Sequence, residues 1–194
     1  MTLRAYQQAQ VSMLRDRAAA ERIGRGDFGA AEGDLTSAER DRLRAQADDA
    51  GMALSRKLHQ GWRLSKLLTL LPVTFRVGDP SVLTGLVAEY WRDHPPEGLY
   101  FEAEAARFAD VVCSRVAPGS LLAEAAALEG ALLAAGRRTG QTPASSHLVL
   151  AHDPRALLAG PDHALPEPDG TTYDVTVVAG PSGPSLTILR RPAC

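Results

Sequence analysis

The residues of this chain that could do chemistry are five histidines, two cysteines and a few neighbouring carboxylates. Two histidines four residues apart on a helix would place both imidazoles on one face, where they could bind a zinc ion. His147 and His152 are five residues apart at the end of an expected strand, so their side chains would lie on opposite faces if the strand continued. The spacing therefore disfavours a metal site; the full set is His59, His94, His147, His152 and His163.

Acid–base and nucleophilic catalysis have little support either. Glu102 and Glu104 are two residues apart and cannot face each other on a helix. Cys113 lies in the apolar stripe of a predicted helix, without the polar setting that activates a thiol, and we interpret it as a core residue. No serine lies in a Gly-x-Ser-x-Gly turn. A free-standing enzyme that uses Cys113 as its nucleophile stays an alternative.

The stretch from Leu67 to Val112 is the one around which we expect the chain to be organised. It contains six of the ten aromatic residues, and large rings remove the most apolar area from water. Asp79 and Pro80 predict a helix start, because the carboxylate can cap free N–H groups and proline suits the first turn. The apolar stripe then continues to His94, before two prolines, and a second helix is predicted from Phe101 to Arg115.

The segment before this stretch predicts two helices. A first amphipathic helix fades near Glu21. Thr36 and Glu39 have the capping-box spacing, and the helix that they begin could run unbroken to Leu71. Gly51 and Gly61 weaken it, and a bend or close helix packing at these glycines is the alternative that we keep open. Residues 73–77 are β-branched and aromatic, and we predict a turn between helices there rather than a strand.

The segment after this stretch changes character at about residue 140. An alanine-rich helix is predicted to begin after Ser120 and to end at Gly136. From Thr139 to Ser146 the composition turns to Gly, Thr, Pro and Ser, which is typical of a domain boundary. We therefore predict a helical domain over residues 1–140 and a β-rich domain over residues 141–194.

The hydrophobic period in the last part of the chain is two residues, as in strands. Short aliphatic runs predict strands at residues 147–151, 173–178 and 186–189, and a six-residue loop at 179–184 predicts that the last two form a hairpin. Asp153 and Pro154 begin one short helix between the first two strands. The predicted fold class is α+β, with a helical N-terminal domain followed by a small three-stranded antiparallel sheet.

The composition limits the function classes. At 194 residues the chain could form one domain or one and a half, and its formal charge of -2 gives no basic footprint for nucleic acid. Residues 1–66 carry twelve Lys and Arg against nine Asp and Glu, which we interpret as solvated helix surface. No apolar run is long enough for a membrane span and no signal core is evident, so a cytoplasmic protein is expected.

Four short patterns in the central stretch carry a resemblance to a known family. They are Leu-Pro-x-Thr-Phe at 71–75, Tyr-Trp-Arg-x-His-Pro-Pro at 90–96, Tyr-Phe-x-x-Glu at 100–104 and Arg-Phe-Ala-Asp at 107–110. In this order they resemble the partner proteins of multinuclear non-haem iron oxidative enzymes in ribosomal peptide (RiPP) maturation. The methanobactin and 3-thiaglutamate pathway partner proteins belong to this family. The resemblance covers residues 67–133 and, after Ser146, only the general strand pattern.

The resemblance implies a non-catalytic subunit. Family members have a helical N-terminal part and a β-rich part that recognises the leader of a precursor peptide. They form a heterodimer with the iron enzyme, which holds the metals, so this chain is expected to bind no cofactor and to have no catalytic or metal-binding residue. The expected partners are the iron enzyme and the leader, without nucleic acid or membrane. The residues expected at the interface with the enzyme are Trp91, His94, Tyr100 and Phe101.

An open sheet edge is the feature that we expect to bind the leader. A small three-stranded sheet has exposed edges, and an extended peptide can pair with the unpaired N–H and C=O groups of an edge. The last two strands are therefore the predicted peptide-binding site. Its residues are Tyr173, Asp174, Val175, Thr176, Val177, Leu186, Thr187, Ile188, Leu189 and Arg190.

A transcriptional regulator is the alternative from another class. Helices followed by a β-hairpin also describe winged-helix DNA-binding proteins. Such a protein needs a basic surface beside the hairpin, because phosphate neutralisation supplies most of the affinity for DNA. The residues after 140 carry only Arg155, Arg190 and Arg191 against five acids, which weighs against DNA.

Overall fold

The computed structural model describes residues 3–30, 33–94, 101–136, 145–180 and 183–192. Within these ranges the protein has nine helices and a three-stranded antiparallel sheet near the C-terminus, so the predicted α+β class is confirmed. The elements are α1 (Leu3–Arg15), α2 (Arg17–Gly24), α3 (Ser37–Ala47), α4 (Ala50–Leu70), α5 (Pro72–Val77), α6 (Pro80–Asp93), α7 (Phe101–Arg115), α8 (Leu121–Gly136), β1 (Ser145–Leu150), α9 (Pro154–Leu158), β2 (Thr172–Gly180) and β3 (Gly183–Arg191). No helix in the described ranges is long and apolar enough to cross a membrane.

The chain divides into two compact units, Met1–Ser65 and Lys66–Cys194. Composition had placed the boundary after residue 140, which falls inside the second unit. The physical reason is that the sheet and α8 bury one common apolar core. Its fully buried members are Ala125, Leu128, Leu150, Leu157, Val175 and Val177.

The helices of the first unit are shorter than predicted, because two aspartates interrupt them. The Asp16 side chain accepts a hydrogen bond from the Ala18 N–H at 2.8 Å and begins α2. The capping box of Thr36 and Glu39 is confirmed, but α3 ends at Ala47. Asp49 then accepts a hydrogen bond from the Gly51 N–H at 2.7 Å at the start of α4. A short acidic side chain that binds the backbone competes with helix continuation.

The helices of the second unit keep most of their predicted ends. Asp79 Oδ1 accepts hydrogen bonds from the Ser81 N–H at 2.8 Å and the Val82 N–H at 3.3 Å, and α6 ends at Asp93. The predicted bounds of α7 and the predicted end of α8 are also confirmed. The prediction of a turn at 73–77 is wrong, since Pro72–Val77 forms the helix α5.

The sheet has β2 at its centre, between β1 and β3. All three predicted strands are present; β2 and β3 extend beyond the predicted runs at both ends, whereas β1 begins two residues before its predicted run and ends one residue short of it. The predicted six-residue loop at 179–184 is wrong, because Ala179 pairs with Pro184 and Gly180 with Gly183. A Cβ at Gly180 would lie 2.8 Å from the Gly183 carbonyl oxygen, so glycine lets the two strands approach this closely.

Candidate functional site

Two buried glutamates on α8 hold the segments that pack around that helix. Glu129 accepts hydrogen bonds from the Val73 N–H at 2.8 Å, the Thr74 N–H at 2.8 Å and the Thr74 hydroxyl at 2.7 Å. Leu71, at the N-cap of α5, makes no side-chain cap, so Glu129 supplies the acceptor for these free N–H groups. Burial raises the pKa of Glu129, although the hydrogen bonds from Thr74 oppose that effect.

Glu124 makes the corresponding contacts at the corner between β1 and α9. It accepts hydrogen bonds from the Ala151 N–H at 2.7 Å and the His152 N–H at 3.0 Å, and His152 Nδ1 lies 2.8 Å from Glu124 Oε2. Both side chains are buried. Since every one of these contacts joins two segments of the chain, we assign the pair a structural role. Sequence reasoning missed both glutamates, although two acids within an otherwise apolar alanine-rich helix are an available signal.

Within the described residues, the side chains that could bind a metal ion are not brought together. In the ranges given above, no three His, Cys, Asp or Glu side chains are grouped so that they could hold a metal ion. Cys113 is half-buried, with its Sγ 3.5 Å from the Ala123 carbonyl oxygen. Burial raises the pKa of the Cys113 thiol, with a further increase from the charge of Asp110. A raised pKa keeps the thiol protonated and therefore a poor nucleophile at neutral pH.

A groove with a volume of about 1150 Å³ opens in the second unit. Its walls are mostly apolar and include Leu70, Val73, Leu132, Leu133, Leu158 and Pro184. Arg76 also lines it and donates hydrogen bonds to the carbonyls of Gly160 and Leu157, the latter at 2.6 Å. The groove can therefore accept apolar groups, and it adjoins β3 at Pro184.

The predicted peptide-binding residues lie on strands with different pairing. Tyr173, Asp174, Val175, Thr176 and Val177 belong to β2, and each is paired with β1 on one side and β3 on the other. Their main-chain groups are already used by the two neighbouring strands. Four of these side chains are also buried, so only the half-buried Thr176 has a side chain that a bound peptide could contact.

The remaining five predicted residues, 186–190, belong to β3, which is an edge strand. One side of β3 pairs with β2, and within the described residues no backbone hydrogen bond joins its other side to the chain. Leu189 is 61% exposed, whereas Leu186 and Ile188 pack against the core. Arg190 forms an ion pair with Asp169 at 3.0 Å.

The opposite edge, β1, has a comparable exposed residue. Val149 is also 61% exposed, and Val149, Asp174 and Leu189 form one row across the three strands. Asp174 is buried in the middle of this row, forms an ion pair with Arg191 and lies 3.6 Å from His147 Nε2. The two edges therefore present similar apolar side chains on either side of the same carboxylate.

The predicted partner-interface residues are half-buried where they are described. The His94 ring stacks on Tyr90 with a centroid separation of 4.8 Å, and His94 is the C-cap of α6. The Phe101 ring lies 5.6 Å from Lys66 Nζ. Trp91 is also half-buried, and Tyr100 lies outside the described residues. None of the three described side chains, Trp91, His94 and Phe101, is in the exposed class.

Comparisons of the chain with protein-family models, with curated proteins and with solved structures find no match. An assignment of function therefore depends on the residues and the geometry described above.

Proposed function

We propose that this chain is a non-catalytic partner subunit for RiPP maturation. It binds the leader of a ribosomally made precursor peptide and forms a heterodimer with an iron-dependent oxidative enzyme that modifies the peptide core. The observation that carries the proposal is the open edge of β3. The resemblance of residues 67–133 to the partner proteins of such enzymes supports the class of enzyme and substrate.

The edge of β3 has the properties that strand addition requires. A peptide that pairs with an edge gains main-chain hydrogen bonds, while the alternating side chains select its sequence. Within the described residues β3 has nine residues and β1 has six, so β3 offers the longer row of N–H and C=O groups. Charges and proline on an edge strand discourage pairing, and β3 carries Pro184 near its start and Arg190 and Arg191 at its end. Residues 185–189 between them have no charge and no proline, and Leu189 is 61% exposed, which leaves this part of the edge open to a partner.

The two subunits can have separate roles because the leader and the core belong to one peptide chain. In the proposed complex the enzyme holds the iron and performs the oxidation, and this chain holds the substrate by its leader. Attachment of the leader makes the reaction at the core intramolecular, with an effective concentration on the order of millimolar for a short flexible connection. Binding of the leader alone would therefore accelerate modification without any catalytic group in this chain.

The test uses two lysine substitutions that match in exposure and in position. Leu189→Lys places a charge on the β3 edge, and Val149→Lys places one on the β1 edge, beside the same Asp174. Leader binding is measured by fluorescence anisotropy with a fluorescently labelled synthetic leader of a candidate precursor peptide. Leu189→Lys should weaken binding by roughly tenfold or more, equivalent to about 1.4 kcal/mol. Val149→Lys should change it by less than about threefold.

The outcome also decides between the two edges. Loss of binding in Val149→Lys alone would move the site to β1, and equal binding by both variants and the wild type would exclude strand addition at either edge. If the wild type does not bind the peptide at all, the proposal of leader recognition is wrong. Circular dichroism of both variants checks that the sheet is intact.

The winged-helix regulator has less support. The two arginines on β3 are already engaged, Arg190 with Asp169 and Arg191 with Asp174. Arginines that are paired with carboxylates contribute less positive potential to a phosphate backbone. A gel-shift measurement at low salt with random-sequence duplex DNA tests this alternative, and tight, salt-dependent binding would favour it over the peptide-binding role.

A further inference from the structure

An exposed apolar stripe runs along α4 in the first unit. Leu54, Leu58 and Trp62 are spaced four residues apart, which places them in one row on the helix surface. They are 58%, 65% and 44% exposed. Large apolar side chains that form a continuous exposed row are typical of protein interfaces, whereas single ones are common on any surface.

Gly61 lies three residues after Leu58, on the side of the row that carries Lys57. A glycine in a helix interior lowers stability relative to alanine. A Cβ at Gly61 would meet no atom of the described residues within 4 Å, so packing inside the chain does not require glycine there. The missing side chain leaves a flat place beside the row, where the backbone of a second helix can approach closely.

The charge of α4 limits what can cover this row. The helix has four lysines and arginines and no acid between Ala50 and Leu70. Arg56 turns away and donates a hydrogen bond to the Met13 carbonyl at 3.0 Å, and Arg63 is buried. Lys57 is exposed next to Leu58 and is the charge that a ligand of the row would meet. An acidic partner surface is complementary to it.

We infer that the iron enzyme docks on this α4 row, through a helix that has an apolar ridge flanked by acidic residues. This inference rests on the proposed function, and it moves the enzyme interface away from the half-buried Trp91, His94 and Phe101. A ridge of such a helix can enter the space above Gly61, beside Leu58. Helix-in-groove recognition of this kind uses anchors at the four-residue spacing that α4 presents.

A second copy of this chain fits the row less well. A two-fold symmetric contact centred on Leu58 would bring Lys57 of each copy close to the other, and α4 supplies no acid to neutralise them. An anionic membrane would attract Lys57, but stable attachment of a short amphipathic surface needs a second anchoring signal. The experiments below distinguish a second copy of this chain and a membrane from the iron enzyme.

The experiment measures binding of full-length variants to a purified iron-dependent oxidative enzyme of the proposed class, by isothermal titration calorimetry. Leu58→Glu should weaken the complex at least thirtyfold, because a central apolar anchor becomes a charge that repels the acidic partner. Leu3→Glu is the control, since Leu3 is 62% exposed on α1 and lies outside the row, and it should bind like the wild type. Both variants should bind the labelled leader normally.

Gly61→Ala separates docking from folding. It should raise the melting temperature by roughly 2–4 °C, because alanine favours the helix. It should nevertheless weaken enzyme binding several-fold, because the methyl group fills the space that glycine leaves open.

Lys57→Glu should weaken the complex most at low salt, where charge interactions are least screened.

Several results would overturn the inference. Wild-type affinity for the enzyme in Leu58→Glu excludes docking on the row. A wild-type dimer in light scattering that Leu58→Glu converts to a monomer assigns the row to self-association. Binding of the wild type, but not of Leu58→Glu, to vesicles of equal amounts of phosphatidylcholine and phosphatidylglycerol assigns it to a membrane. If the wild type binds the leader but not the enzyme, the enzyme partner and this docking site are wrong while leader recognition stands.

Discussion

At the scale of single residues, the buried hydrogen bonds of Glu124 and Glu129 on α8 could not be predicted from the sequence. Glu129 caps α5 from more than fifty positions away in the chain, so the sequence near residue 73 does not indicate which residue caps this helix. Local caps are different. Asp79, Thr36 and Glu39 act on N–H groups two or three residues away, and their patterns predicted helix starts correctly. Long-range contacts depend on which elements become neighbours, and a pattern of local spacing does not contain that information.

Glu129 gives a prediction at this scale. Glu129→Gln replaces one acceptor oxygen by an NH₂ group that faces the N–H donors of α5. We expect the free energy of unfolding to fall by about 1–3 kcal/mol, the usual cost of an unsatisfied buried hydrogen-bonding group. The measurement is urea unfolding followed by circular dichroism. Glu167→Gln is the control, because Glu167 is exposed, and it should leave stability unchanged.

The pH dependence of the stability difference between the wild type and Glu129→Gln tests the direction of the Glu129 pKa shift. The pKa of Glu129 is raised above its ordinary value of 4.5 in the folded chain. The charged form is therefore disfavoured by folding, and the wild type loses stability as pH rises from 4.5 through the folded-state pKa of Glu129. Glu129→Gln does not titrate there, so the stability difference between wild type and variant should be larger below pH 4.5 than at neutral pH. A difference that grows with rising pH would contradict the raised pKa.

At the scale of elements, local sequence patterns predict where a helix begins more reliably than whether it continues without interruption. Helical spacing continues through Asp16 and Asp49, and it predicted one helix where the chain forms two in each case. The strands were predicted in place because alternation is a local property. Their order was not, since the identity of the central strand depends on pairing between β1 and β2 across an intervening helix. That order decides which of the predicted peptide-binding residues keep an open main-chain edge.

The hairpin provides a prediction at the scale of elements. Gly180→Ala should lower the melting temperature, because the new Cβ would lie 2.8 Å from the Gly183 carbonyl oxygen and force the strands apart. We expect a loss of more than about 1 kcal/mol, as for alanine at a site that cannot accommodate it. Gly85→Ala is the matched control. In α6 a Cβ at Gly85 meets no described atom within 4 Å, and helix propensity should make this variant more stable.

At the scale of the whole molecule, the sheet is a part of the second unit and shares its core with α8. Composition correctly marked a change from helix to strand near residue 140, but it could not show that the two sides of this change pack together. Tyr173, Val175 and Val177 are buried, and the apolar residues that pack with them include Leu128 and Ala131 of α8. The edge of β3 that we propose as the leader site is therefore held by a helix that lies outside the predicted β-rich domain.

A pair of fragments tests this dependence. A fragment of residues 141–194 lacks α8, so it should not fold alone, because three antiparallel strands without a covering layer leave their apolar face in water. A fragment of residues 66–194 keeps the whole core of the second unit and should give dispersed amide signals in a two-dimensional NMR spectrum. Labelled leader should bind the longer fragment and not the shorter one. Dispersed signals from residues 141–194 alone would instead support an independent β-rich domain, with the boundary where composition placed it.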